Sequence, residues 1–253
     1  MPNSFRSLGY LSDDAESLRI SIRSSFSAEL ESIRGNLRIA LGELPCSEDS
    51  PTAGEYLVGL GMWRRAIESC QATVLLMEYG FLSSQFATLR TAYECLFIAS
   101  GLWYGSLTLK RLEEWHNRER TLQARLLHTE LQKLGYTAEM LHTLSFIKDD
   151  AAPRNKLSLS DTAHHAGLGL LYESSYRGLS LAGAHATPQS LRSHDSTSPE
   201  FAKDLQIKRE HILKETIKCL HTGMERHRDA LQKYCDAIKR SVSNTPSGTP
   251  ESM

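Results

Sequence analysis

Apolar residues recur at alternating steps of three and four through most of this chain, a spacing that suits a helix and not a strand, whose side chains alternate at every second residue. Leu18, Ile22, Phe26, Leu30, Ile33, Leu37, Leu41 and Leu44 form one such stripe. Leu60, Trp63, Ile67, Cys70, Val74, Met77 and Phe81 form a second, and Phe201, Leu205, Ile212, Leu220, Met224, Leu231 and Ile238 a third. The pattern predicts an all-α, single-domain helical bundle of five or six main helices. It is expected to occupy 12–240, behind a flexible N-terminus at 1–11 and ahead of a polar, disordered tail at 241–253.

Start and stop residues divide the bundle. Ser12 and Asp13, with Glu16 behind them, have the spacing of a capping box and open a first helix that the stripe carries unbroken to Pro45. A second helix over 55–79 ends at Gly80. A third, over 83–105, is apolar on most of its circumference, which makes it the central helix and would bury Arg90 and Glu94. A charged helix over 108–134 turns Leu112, Trp115, Leu122, Leu126 and Leu131 inward and stops at Gly135. Short helices follow over 138–148, over 161–166 behind a Ser160 cap, and over 168–182. Ser198, with Pro199 at the first helical position, opens the last long helix.

Composition narrows the function. The 29 Lys and Arg against 30 Asp and Glu leave a formal net charge of −1, which argues against nucleic-acid or acidic-membrane binding over the whole surface. No signal-peptide core stands between Met1 and Leu11, and the apolar run from Val74 to Trp103 is interrupted by Glu78, Arg90 and Glu94, so a buried helix pair is expected in place of a membrane span. A cytoplasmic location with no membrane partner follows. The five cysteines include no Cys-x-x-Cys pair and read as free thiols. No cofactor or metal is expected, because phosphate loops, dinucleotide fingerprints and zinc spacings are absent. Glu113 with His116 and Glu139 with His142 have the spacing of di-iron bundle ligands, a chemistry that would also need Glu78 and Glu94 turned inward.

Two signatures carry the remaining chemistry: Leu89-Arg90-Thr91-Ala92-Tyr93-Glu94 in the apolar helix, and Tyr176-Arg177-Gly178-Leu179-Ser180 followed by Gly183-Ala184-His185. Polar groups in such surroundings need partners. Arg90 and Glu94 lie one helical turn apart, but arginine before glutamate is the weaker order for a local pair. Glu94 therefore has three candidate partners, Arg90, Arg177 and His185. On a helix continued through Ala184, Arg177 and His185 would project roughly 80° apart, near enough to address one phosphate or carboxylate. Tyr172 and Tyr176 read as core. The charged helix also holds Arg111-x4-His116, a spacing that chance alone supplies in a chain this rich in arginine and histidine.

With these signatures the chain resembles the bacterial family catalogued as domain of unknown function 5677, over 56–191. The matching features are Leu89-Arg90-x-x-Tyr93-Glu94, Ala166-Gly167 before a tyrosine-rich helix, and Tyr176-Arg177-x-Leu179-Ser180-x4-His185. That family is similar to the HEPN group of helical domains, many of them metal-independent ribonucleases or inactive relatives in toxin, antitoxin and phage-defence systems. Active HEPN members carry an arginine and a histidine with four to six residues between them. Here seven residues separate Arg177 from His185, and the spacing is kept only by Ser180. The resemblance implies an HEPN-like fold and two readings. In the enzymatic one His185 is general acid or base, Arg177 holds the phosphate, Glu94 orients one of them, and Arg90, Ser180 and Tyr176 complete the binding site, with RNA as substrate and an antitoxin or other protein as partner. In the other the chain is a non-catalytic interaction protein, a dimer or other homo-oligomer, and the same cluster only stabilises the bundle.

Overall fold

The computed structural model describes residues 11–45, 54–148, 156–184 and 199–243. Among them every regular element is a helix, so the all-α expectation holds. The expected flexible N-terminus before Leu11, the expected tail beyond Ser243, Cys46, His185 and the Ser198 helix start lie outside the described residues, whereas 241–243, expected in the tail, continue the last helix.

The N-terminal stripe is carried by two helices, α1 (Asp14–Ser25) and α2 (Ser27–Gly42). At the junction Phe26 leaves helical geometry, with φ −122° and ψ 30°, while its ring stays in the core. A one-residue break between two serines preserves the period of the stripe, so spacing does not reveal it. The expected capping box is not formed. Asp13 has helical backbone angles and makes no side-chain cap bond, and the Ser12 hydroxyl is buried without a partner.

Helix α3 (Gly54–Glu78) ends as its sequence predicts. Gly80 has φ 83°, and the Phe81 amide bonds back to the Leu76 carbonyl at 2.9 Å. This is the closing bond of a glycine-terminated helix. The chain turns directly into α4 (Leu82–Trp103), antiparallel to α3, whose C-terminal stretch from Cys95 to Trp103 is buried on every side. It is the central helix. The last helix, α9 (Pro199–Ser243), has 45 residues. At 1.5 Å per residue it is about 67 Å long, and it packs across α2, α3 and α4. Close approach is enforced at Gly223, whose missing Cβ makes room for the buried Trp63 ring of α3, and at Gly59, which admits Trp103.

The charged helix α5 (Leu109–Lys133) is capped by the Thr108 hydroxyl, which accepts from the Arg111 amide, and is stopped at Gly135 with φ 84°. It pairs with α6 (His142–Lys148) as a hairpin, burying Thr121, Ala124 and His128. Leu126 is not inward as the stripe suggests. It is 71% exposed, because the neighbour of α5 covers the face carrying Ala124 and His128. Helix α7 (Leu159–His165) is capped by Ser158, two residues earlier than expected. After Gly167, with φ 73°, a final short helix α8 covers 169–184 and lies on α4. It alternates α turns with two wider π turns, Tyr172–Tyr176 and Ser180–Ala184. The four described cysteines are free: Cys70, Cys95 and Cys219 are buried in the core and Cys235 is half-buried. No described helix is long and apolar enough to cross a membrane.

Candidate functional site

The two signatures meet where α8 crosses α4. Position 94 follows position 90 by one turn, so both side chains leave the same face of α4, and Tyr176 reaches them from the first π turn of α8. The Tyr176 hydroxyl accepts from Arg90 Nη2 at 2.8 Å and donates to Glu94 Oε1 at 2.8 Å. Arg90 Nη2 and Glu94 Oε1 are themselves 3.1 Å apart, and the guanidinium carbon lies 5.1 Å from the centre of the Tyr176 ring. Guanidinium, phenol and carboxylate thus form a closed triangle. Arg90 and Glu94 are half-buried, at 27% and 34% side-chain exposure, and not sealed as the apolar helix around them suggested. The cluster sits where α4 emerges from the core. Burial pushes the Tyr176 phenol up to about 12, a rise that Arg90 opposes and Glu94 reinforces. The phenol is therefore a proton donor at neutral pH. Arg90 Nε is buried without a hydrogen-bond partner.

The other described members of the expected cluster diverge. Arg177 points outward, 63% exposed, and pairs with Glu173 at 2.9 Å along its own helix. It is not the partner of Glu94. The Ser180 hydroxyl donates to the Tyr176 carbonyl at 3.0 Å, within the helix backbone. Tyr172 stacks on Tyr176 with ring centres 5.0 Å apart, and both meet Phe97, which matches the core reading of the tyrosines. Arg111 and His116 separate as well. Arg111 lines a cavity of about 170 Å³ with Asp161 and His165, whereas His116 lines another, about 480 Å³, beside Trp115 and Met62. Among the described residues no group of three or more His, Cys, Asp or Glu side chains is placed to hold a metal ion.

Two buried polar groups of α9, Glu215 and His227, were hidden in the sequence. Tyr93, inside the first signature, donates to Glu215 Oε2 at 2.8 Å, and Lys218 Nζ lies 2.5 Å from Glu215 Oε1 and 3.3 Å from the Ser175 hydroxyl. Burial alone would raise the Glu215 carboxyl, but hydrogen bonds from Lys218, Ser175 and Tyr93 outweigh it and hold the group below the ordinary carboxylate value. His227 is 1% exposed, with Nε2 3.1 Å from the Tyr56 hydroxyl and its ring beside Trp103. In sequence Glu215 stands between Lys214 and Lys218, and His227 between Arg226 and Arg228, neighbours that suit a solvated, mixed-charge face. The signal was available in the period, since Ile212, Glu215, Cys219 and Leu220, Met224, His227, Leu231 continue the buried stripe of α9. Glu78, also buried, is the common partner of Arg19, Arg23 and Arg34.

No curated protein matches the chain, and no solved structure does. The model of a family of unknown function, DUF5677, matches residues 56–201, more than half of the chain. That span runs from the start of α3 through both signatures to the first turn of α9. The chain belongs to the DUF5677 family of unknown function.

Proposed function

We propose that this chain is a non-catalytic helical interaction protein in which the Arg90, Glu94 and Tyr176 cluster fixes α8 to α4. The observation that carries the reading is the closure of that cluster: Arg90 Nη2, the Tyr176 hydroxyl and Glu94 Oε1 lie 2.8 to 3.1 Å from one another and join α8 to α4. Arg177, the expected phosphate clamp, points away from the cluster and pairs with Glu173. The α5–α6 hairpin supports the same reading. Leu126 on α5 and Leu134 and Met140 in the turn after it are each at least 70% exposed, apolar surface that a protein partner would cover. The partner in this reading is a second copy of the chain or another protein.

A metal-independent, HEPN-like ribonuclease is the second reading, favoured by one feature of α8. Two π turns flank Arg177, and such turns occur disproportionately at functional sites. There Arg177 would hold a phosphate and His185 would exchange the proton of the 2′-hydroxyl. One experiment separates the two: incubation of purified protein with total RNA in the presence of chelator, comparing wild type with Arg177→Ala and His185→Ala variants of verified fold. The first reading expects intact RNA in all three. Cleavage by wild type that both variants lose would overturn it in favour of the ribonuclease.

A further inference from the structure

Away from both signatures, the crossing of α1 and α2 over the C-terminal half of α3 holds an unusual charge arrangement. Glu78 is almost fully buried, with side-chain exposure of 3%, and it faces three arginines. Arg23 Nη2 is 2.7 Å from Glu78 Oε2, Arg19 Nε is 3.5 Å from the same oxygen, and Arg34 Nη2 is 3.8 Å from Oε1. One carboxylate cannot saturate three guanidinium forks. Glu16 and Glu31 pair with Arg19 and Arg34 only from the water side, as exposed pairs within one turn of helix, and such pairs contribute little. Arg23 Nε is buried with no hydrogen-bond partner.

Beside these arginines opens a cavity of about 350 Å³ lined by Arg23, Arg34, Glu78, Gln71 and the apolar side chains of Leu37, Val74 and Leu75. A volume of some hundreds of Å³ with an apolar floor and a few convergent polar groups is the usual form of a small-molecule site. We propose that this cavity binds a small amphiphilic anion, a sulfate, phosphate or carboxylate head on an apolar body. The head is held by Arg23 and Arg34, whose planar forks match the oxygens of such groups. The body lies on Leu37, Val74 and Leu75. Glu78 is a positioning residue: it anchors the Arg23 guanidinium at 2.7 Å, and at 3.8 Å it leaves Arg34 able to turn toward the ligand.

The test is a titration of the full chain with 1-anilinonaphthalene-8-sulfonate, an apolar fluorescent anion, in wild type and in Arg34→Gln and Leu75→Glu. Both residues are about half exposed, so the two variants keep the fold, which near-ultraviolet circular dichroism verifies. Wild type is expected to bind one equivalent. Loss of a charge-assisted hydrogen bond weakens binding by about tenfold in Arg34→Gln, and Leu75→Glu weakens it through both charge and the lost floor. Octyl sulfate should displace the dye at concentrations where inorganic sulfate, at matched ionic strength, does not. No binding by wild type, or unchanged binding in the two variants, would overturn the site. Equal displacement by the two sulfates would overturn the apolar half of it.

Discussion

Tyr176 illustrates how one hydroxyl can tie two signatures together. It is the shared partner of Arg90 and Glu94, yet those two also touch each other, so its removal does not strand either charge. Tyr176→Phe is therefore expected to cost about 1.5 kcal/mol, the low end for a hydrogen bond to a charged group. The shift in urea midpoint at unchanged slope measures it, and a loss above about 3 kcal/mol would mean that the triangle carries more than local support. Glu215 is the harsher case, since its carboxylate is buried while Lys218 is 45% exposed. Glu215→Gln replaces the charge-assisted bonds to Lys218 and to the buried Tyr93 phenol by neutral ones and leaves the lysine to water, and about 2 kcal/mol is expected by the same measurement. Because the native state holds the Glu215 carboxyl below its ordinary value of 4.5, its contribution is complete above that pH and is lost as pH falls through the depressed native value. The Gln variant should accordingly show a shallower loss of stability in acid.

Between elements, small residues decide how near two helices come. An alanine at position 223 would gain about 1 kcal/mol in helix propensity over glycine. Its Cβ, however, would fall inside contact distance of the Trp63 ring, which is fully buried and has nowhere to move. Overpacking of this kind costs about 1 to 3 kcal/mol, so Gly223→Ala is expected to lower the thermal midpoint, whereas propensity alone would raise it. A raised midpoint would show that α3 and α9 can slide apart. The same contrast explains the elements that differ from their sequence pattern. The stripe of the N-terminal helix was legible, but the break at Phe26 was not, since one non-helical residue leaves the three-four spacing intact. The apolar period of α5 was legible too, yet Leu126 faces water because the chain provides α6 only against the Ala124 and His128 face.

For the molecule as a whole, the interior sets a limit on acid tolerance through His227. Burial depresses its pKa below the ordinary 6.5, so the folded state holds it neutral while the unfolded chain takes up a proton. The sign follows directly: stability is unaffected by this group above about pH 6.5 and falls as pH drops below it, until the native histidine also protonates. Denaturant midpoints measured from pH 7.5 to 5 should decline, and His227→Gln should flatten the decline. An unchanged slope in the variant would assign the acid sensitivity elsewhere. The sequence by itself determined the helical class, the glycine stops at Gly80 and Gly135, the central place of α4 and the family to which the chain belongs, because periodicity, stop residues and short motifs are local properties. Only the tertiary structure decided which polar groups meet. It joined Arg90 and Glu94 to Tyr176 and turned Arg177 away to Glu173, drew Glu215 and His227 inside, and gathered three arginines on Glu78. Those outcomes depend on which faces of distant helices are pressed together, and a partner 44 to 171 residues away leaves no mark on the local pattern.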